Sequence, residues 1–488
     1  PLFQAEDGIR DEASCLVGSE MCIRDRVMAL PLAILLAAPA IAQETAQCAP
    51  LPPLAATTAE SDSAQQQLFC AIDFNGGSVA LCPKTWSTSP AALVYDLEGT
   101  PWEGRAGAFE KEVCARGGSA RDEASRELAF FKNTLNGRKT SGTFAPASLL
   151  YYHFSRLLET RLQVPVAVPV SFPAAEYRRR VVAPGLEYSD HKSTRMLHEG
   201  WLELDRAMAA PEQYSHQREL FVDGGNRLWG VLLLAEGRRY GPEVNGTRAS
   251  GWGEGQNRDF QRTAPFIALR TDAPLADAVA QGIEASRQDD GIAQAMPADI
   301  SHSQVAWWMH EITELVLLDY ILGQQDRIGN VDYLWRWAWQ EQGELRTSAA
   351  APPAGGAQKL RVTVLNDNDA GVRSGYANYA RSTGMLEGWR HMDAGLYQRL
   401  QRLAADFRQS GPVASAVRAN YRLSSREAQH IVERGLEAAA YLRKRCQAGL
   451  LRFDLGVSDV LNPGTAHSAK TSCEPGQSVA GSLLPESG

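Results

Sequence analysis

Between Gln304 and Arg373 the spacing of apolar positions changes, and each change marks a new element. Val305, Trp308, Met309, Ile312, Leu315, Val316 and Tyr320 recur at steps of three and four, which predicts a helix over 305–322 with one buried face. Gly323 follows, where a glycine commonly stops a helix. A polar loop, Gln324-Gln-Asp-Arg-Ile-Gly-Asn330, leads to Tyr333, Trp335, Trp337 and Trp339, whose alternation is that of a strand. After an Ala-, Pro- and Gly-rich stretch from Ser348 to Ala357, Leu360-Arg-Val-Thr-Val-Leu365 predicts a second strand, ending in Asn366-Asp-Asn-Asp-Ala-Gly371. Paired antiparallel, the two strands bring the start of the first beside the end of the second. Asp326 and Asn330 then meet Asp367 or Asp369. Carboxylates and an amide converging there suit Mg²⁺ or Mn²⁺, which prefer oxygen ligands. One further carboxylate can orient a hydroxyl nucleophile, the logic of phosphoryl transfer. A solvated acidic turn is the plainer reading of Asp367 and Asp369.

The same pattern, followed from the other end, predicts a strand at Ala92–Leu97, a glycine-bearing turn over 99–107 and a returning strand at 108–113. Such a hairpin can lay backbone N–H groups over phosphates, with Gly104 and Gly107 in the turn. No GxxxxGK[ST] motif occurs. Leu128-Ala-Phe-Phe-Lys132 predicts a strand whose terminal Lys132 reaches into a cleft; a solvated lysine is the alternative. A helix over 146–158, an extended Val164–Val170 and a hairpin over 220–234 with an Asp-Gly-Gly turn follow. Asn245 to Gln256 is a glycine-rich loop, and Asn245-Gly-Thr247 is formally a glycosylation sequon. Helices are predicted over 385–407 and 424–446, the second opened by a Ser424/Glu427 capping box. From Leu461 onward Pro, Gly and Ser predict a disordered tail, apart from Cys473.

Composition narrows the class. The chain of 488 residues, 44% hydrophobic and 22% charged, has material for a large core. Its net charge of −8 gives no reason to expect nucleic acid as a partner. Pro1 to Arg26 resembles translated sequencing-adapter read-through. Val27 to Ala42 is an uncharged apolar run ending in a small-x-small site, the pattern of a signal peptide, and too short to span a membrane. Exported, periplasmic or secreted placement is therefore expected, with no membrane span in the mature chain. Cys48, Cys70, Cys82, Cys114, Cys446 and Cys473 remain beyond those segments, an even number that suits disulfides of unspecified pairing. Residues 43–66 read as a linker.

Leu317-Leu-Asp-Tyr-Ile-Leu-Gly-Gln-Gln-Asp-Arg327 resembles the catalytic segment of secretory-pathway kinases of the Golgi casein kinase and Four-jointed type, in which an apolar helix runs into Gly-Asn-x-Asp-Arg. Leu365-Asn-Asp-Asn-Asp-Ala-Gly371 resembles that family's later Leu-Asp-Asn-Gly segment. Tyr152-His-Phe-Ser-Arg-Leu-Leu158 and the following Val164-Pro-Val resemble its αC helix and the strand leading to the hinge. The resemblance implies an α+β, two-lobed protein-kinase-like fold stapled by disulfides: a small β-rich N-lobe at 67–172, a hinge and insertion at 173–302, and a mainly helical C-lobe at 303–460. It implies Asp326 as catalytic base, Lys132 with Gly104 and Gly107 on the nucleotide, and Asp367, with Asn330 or Asp369, on Mn²⁺ or Mg²⁺. The implied reaction moves the ATP γ-phosphate to a hydroxyl of a protein or glycan acceptor. Three departures stand out: Gln324 replaces the usual Asn, the His that commonly follows Asp-Arg is absent, and Ser148 falls where a glutamate pairs with the lysine, leaving Glu127 or Glu159 as substitutes. A pseudokinase scaffold, or nucleotidyl transfer on the same fold, is the alternative. A calcium loop at Asp367–Gly371 lacks the EF-hand positions, and His310 with Glu314 falls short of the HExxH zinc motif.

Overall fold

The structure is a computed structural model that describes residues 45–55, 59–137, 139–191, 194–352 and 356–474. The adapter-like segment and the apolar leader lie outside these residues. The described chain is α+β. Seven strands form one sheet: β1 (Gln47–Cys48), β2 (Val79–Pro83), β3 (Ala92–Asp96), β4 (Arg126–Asn133), β5 (Ala167–Pro173), β6 (Phe221–Val222) and β7 (Arg227–Leu233). Their order is β1-β5-β7-β4-β3-β2, with β6 also on β7, and every pairing is antiparallel. A four-stranded sheet holds β8 (Arg238–Arg239), β9 (Asp332–Glu341), β10 (Glu344–Ser348) and β11 (Gln358–Val364), in the order β10-β9-β11 with β8 on β9.

β2 and β3 are buried at every position because they are covered on both faces. Val79, Leu81, Ala92 and Val94 pack with Trp201 and Leu204 of helix Arg195–Ala209. The alternate residues Ala80, Cys82, Leu93 and Tyr95 pack with Phe109 and Val113. That second contact explains one correction. Residues 108–113 were expected as a returning strand, yet Ala106–Glu112 is a helix, which puts Phe109 and Val113 on one side, four residues apart. The Cys82–Cys114 disulfide fastens the end of this segment to β2.

Helix His302–Leu322 begins at Ser301, whose hydroxyl accepts from Gln304 N at 3.1 Å, and ends at Gly323 in the left-handed region at φ 72°. The expectation of a single buried face is corrected: every residue from Gln304 to Leu322 is buried. Its polar residues are bonded internally. Glu311 accepts from Thr363 N (2.9 Å) and Oγ1 (2.6 Å), and Glu314 accepts from Arg161 N (2.9 Å) and pairs with His310 at 2.8 Å. Helices Ala145–Leu157, Ala264–Arg270, Leu275–Ser286 and Ser425–Gln447 pack against it, the last opened by the Ser424/Glu427 capping box.

Other boundaries shift. β7, read with the insertion, lies inside the large sheet between β5 and β4. β10, which the sequence reading did not include, precedes the Ala/Pro/Gly loop and pairs with β9. The 43–66 linker contains β1 and opens helix Glu60–Cys70, fixed by the Cys48–Cys70 disulfide and by Asp62, which is buried against Arg156 at 2.8 Å. The described part of the expected disordered tail, 461–474, is structured, and 475–488 lies outside the described residues. Val457–Leu461 is a helix, Ala469 N donates to Phe453 O at 2.8 Å, and Cys473 is joined to Cys446. Three disulfides therefore use all six cysteines counted above, consistent with an oxidising, exported environment. No described helix is long and apolar enough to cross a membrane.

Candidate functional site

The β9–β11 pairing brings the two acidic segments together as their spacing implied. Val364 stands opposite Asp332, so the turn after β11 lies beside the loop before β9. Two bonds from Gln324 lock that approach: its Oε1 accepts from Asp326 N at 3.0 Å, and its Nε2 donates to Asp367 O at 3.2 Å. A glutamine therefore ties both segments where the resembled family has a shorter amide. Below it, Arg327 is buried with Asp319 (Nε to Oδ2, 3.0 Å), and its Nη2 donates to Asn368 Oδ1 at 2.8 Å. Tyr151 of helix Ala145–Leu157 donates to the same Asp319 carboxylate at 2.6 Å. This buried network fixes the loop from two helices at once.

Lys132, at the end of β4, meets the acidic turn directly. Its Nζ lies 3.3 Å from Asp367 Oδ1 and 3.3 Å from Asp369 Oδ1. Burial works against its charge, but the Asp369 and Asp367 carboxylates outweigh that and hold Lys132 well above its ordinary value. Glu127 pairs with Arg121 and Glu159 with Arg399, so neither substitutes for the missing helix glutamate. Ser148 is buried, its Oγ without a hydrogen-bond partner. His153 is buried against the Tyr421 hydroxyl, and burial pulls it down to about 4.

Asp326 is raised, first by burial and then by the nearby charges of Asp367 and Asp369. Trp252, from the glycine-rich loop, stands close enough to offset part of that rise. Trp252 is 69% exposed and stands edge-on to Tyr379 at 6.1 Å. Asn330 donates to Asp326 O at 2.8 Å, while its Oδ1 accepts from Arg239. Arg239 also pairs with Asp332 at 2.7 Å and reaches Asp367 Oδ2 at 3.5 Å.

These contacts decide how the residues suit a divalent metal. The donor atoms are oxygens of the right chemistry. Their oxygens, however, face protein cations: Lys132 on Asp367 and Asp369, Arg239 on Asn330 and Asp367. Among the described residues no group of three His, Cys, Asp or Glu is placed to hold a metal ion. The arrangement does not fit a preformed Mg²⁺ or Mn²⁺ site, and no chemical step is derived through one.

Gly104 and Gly107 are not brought to this cluster. In the β3–β4 register Ala92 faces Phe131 and Asp96 faces Arg126, so the loop after β3 lies at the end of the sheet opposite Lys132. The connection at the Lys132 end is instead 84–91, between β2 and β3. It carries Lys84, buried at 8% exposure, whose neighbouring charges are Lys132, Asp367 and Asp369. Lys84, Arg239, Trp252 and Asp319 were missed in the sequence. Only Asp319 stands inside a quoted motif; the others lie in loops or short strands with no periodic signal.

No protein-family model matches the chain, and no curated protein matches its sequence.

Proposed function

We propose that this chain is an exported phosphotransferase of two-lobed, kinase-like architecture that moves the γ-phosphate of ATP to a hydroxyl on a protein or glycan. One observation carries the reading: Lys132 of the large sheet, Asp326 of the loop after the buried helix, and Asp367 with Asp369 beyond β11 converge from distant parts of the chain. Asp326 has the role of base. Its raised proton affinity suits a group that must take a proton from an acceptor hydroxyl. Lys132 supplies positive charge to nucleotide phosphates. The exposed Trp252 beside Asp326 offers an acceptor a surface next to the reacting group. A second reading, a scaffold that holds nucleotide without turnover, is favoured by Ser148, which leaves Lys132 paired only with the acidic turn.

The test is thermal unfolding of the purified chain with ATP, with Mn²⁺ and with both, beside a phosphotransfer assay on wild type and Asp326→Ala. A ligand present at 100 times its Kd stabilises the folded state by about 2.7 kcal/mol. ATP-dependent stabilisation in both proteins, with transfer lost only in Asp326→Ala, is the expected result. Stabilisation without transfer by wild type selects the scaffold reading, and no stabilisation by ATP overturns both.

A further inference from the structure

The edge of the large sheet nearest the acidic turn carries two lysines in one row. Pro83 faces Ala92, and Ala92 faces Phe131. One step further along, Lys84 N donates to Ala91 O at 2.8 Å, so the next row reads Lys84, Ala91, Lys132. Directly opposed residues in antiparallel strands share a face. The two lysines therefore stand on the same face, two strands and roughly 10 Å of backbone apart, with only a methyl group between them. The two ammonium groups are not equivalent. Lys132 is held by Asp367 and Asp369. Lys84 is buried to the same degree, yet its single bond is to Ser89 Oγ at 3.3 Å, and it makes no ion pair among the described residues. An ammonium has three donors, and a buried charge without a counter-ion is costly. The hairpin places that charge, which Asp367 and Asp369 offset only in part, beside the proposed nucleotide site.

We propose that Lys84, with Ser89 and the neighbouring Lys132, forms a polyphosphate-binding cradle, the β2–β3 connection taking the place that the sequence assigned to the 99–107 glycine turn. This inference deepens the phosphotransferase reading by naming what holds the phosphates, and it requires no metal. The ligand chemistry is a chain of two or three phosphoryl groups, borne by a nucleotide or free. Phosphate oxygens complete the donors of Lys84 and compete with Asp367 and Asp369 for those of Lys132.

Isothermal titration in EDTA with inorganic tripolyphosphate, ATP and adenosine, on wild type, Lys84→Met and Lys84→Arg, tests it. Circular dichroism melts check that each variant folds. Loss of a charge-assisted contact weakens binding by about tenfold or more. Tripolyphosphate and wild type should therefore bind, Lys84→Met should lose roughly tenfold, and Lys84→Arg should stay close to wild type. At pH 8, wild type should also take up protons on binding, read from the buffer dependence of the heat, and Lys84→Met should take up fewer. The charged groups facing Lys84 in that experiment are Lys132, Asp367 and Asp369. Equal affinity of wild type and folded Lys84→Met for tripolyphosphate overturns the cradle, even if ATP binds elsewhere in the site. No binding of tripolyphosphate to wild type overturns it as well. Tripolyphosphate binding that depends on Lys84, without binding of ATP, upholds the cradle while the nucleotide reading fails.

Discussion

Lys84 shows how one side chain can be held at a cost to the fold. Burial, then Lys132, lower its proton affinity, and Asp367 and Asp369 only partly restore it, leaving a value of about 8 against an ordinary 10.5. A lysine depressed in the folded state destabilises it wherever the unfolded chain is charged and the folded one resists charging. The penalty is present in full below about 8, shrinks as pH rises from 8 toward 10.5, and is gone above that. Its size is at most roughly 3 kcal/mol. Urea unfolding should accordingly show Lys84→Met gaining on wild type at pH 7 and losing that advantage at pH 10. A difference that stays constant between the two pH values would contradict the assignment. Asp326 is pushed the opposite way by the same crowding, burial first and then the charges of Asp367 and Asp369. The cluster thus holds acids and bases away from their solution values, as groups arranged for proton or phosphoryl chemistry often are.

Among the elements, helix His302–Leu322 sets the position of the site. Its last turn carries Asp319, which anchors Arg327, and its left-handed Gly323 turns the chain so that Gln324 and Asp326 face the acidic turn. The helix has no solvent face to absorb a change in side-chain volume. Leu318 is fully buried in the large core, so Leu318→Ala should cost about 2–5 kcal/mol in denaturant unfolding. A loss below about 1 kcal/mol would mean that the surrounding helices relax into the space. The pattern of Val305, Trp308, Met309 and Ile312 identified the helix, but periodicity could not reveal its depth. His310, Glu311 and Glu314 look like a wet flank in the sequence. They are dry because Thr363, the 161–162 turn and Leu455 O meet them from other elements.

For the whole molecule, the three disulfides are spread over both ends of the chain. Two hold the opposite edge strands of the large sheet, β1 and β2, and Cys446–Cys473 ties helix Ser425–Gln447 to the C-terminal segment. That last bridge closes a segment of 27 residues. By the chain-entropy model such a loop contributes about 3.5 kcal/mol. The double variant Cys446→Ser/Cys473→Ser should therefore melt several degrees lower, and the described segment 462–474 should become susceptible to proteolysis before the rest unfolds. Unchanged melting and unchanged protease resistance would show that the Tyr397–Cys473 and Ala469–Phe453 bonds hold this segment without the bridge.

Local signals carried much of this protein. The alternation of Trp335, Trp337 and Trp339, the steps of the 302–322 helix, the Asp-Gly-Gly hairpin and the capping box at Ser424 are properties of neighbouring residues, and each stands where its pattern placed it. The meeting of Asp326 with Asp367 and Asp369 was also legible, because a single β9–β11 pairing decides it. The glycine turn was misplaced for the converse reason. Gly104 and Gly107 have a suggestive composition, but which end of β3 faces Lys132 depends on the register between β3 and β4. Only tertiary structure sets that register, since it maximises burial of Leu93 and Tyr95 against Phe109 on one face and of Ala92 and Val94 on the other. Lys84, Arg239 and Trp252 lie on short strands or loops, where the side chains that meet are chosen by packing between elements and leave no period in the chain.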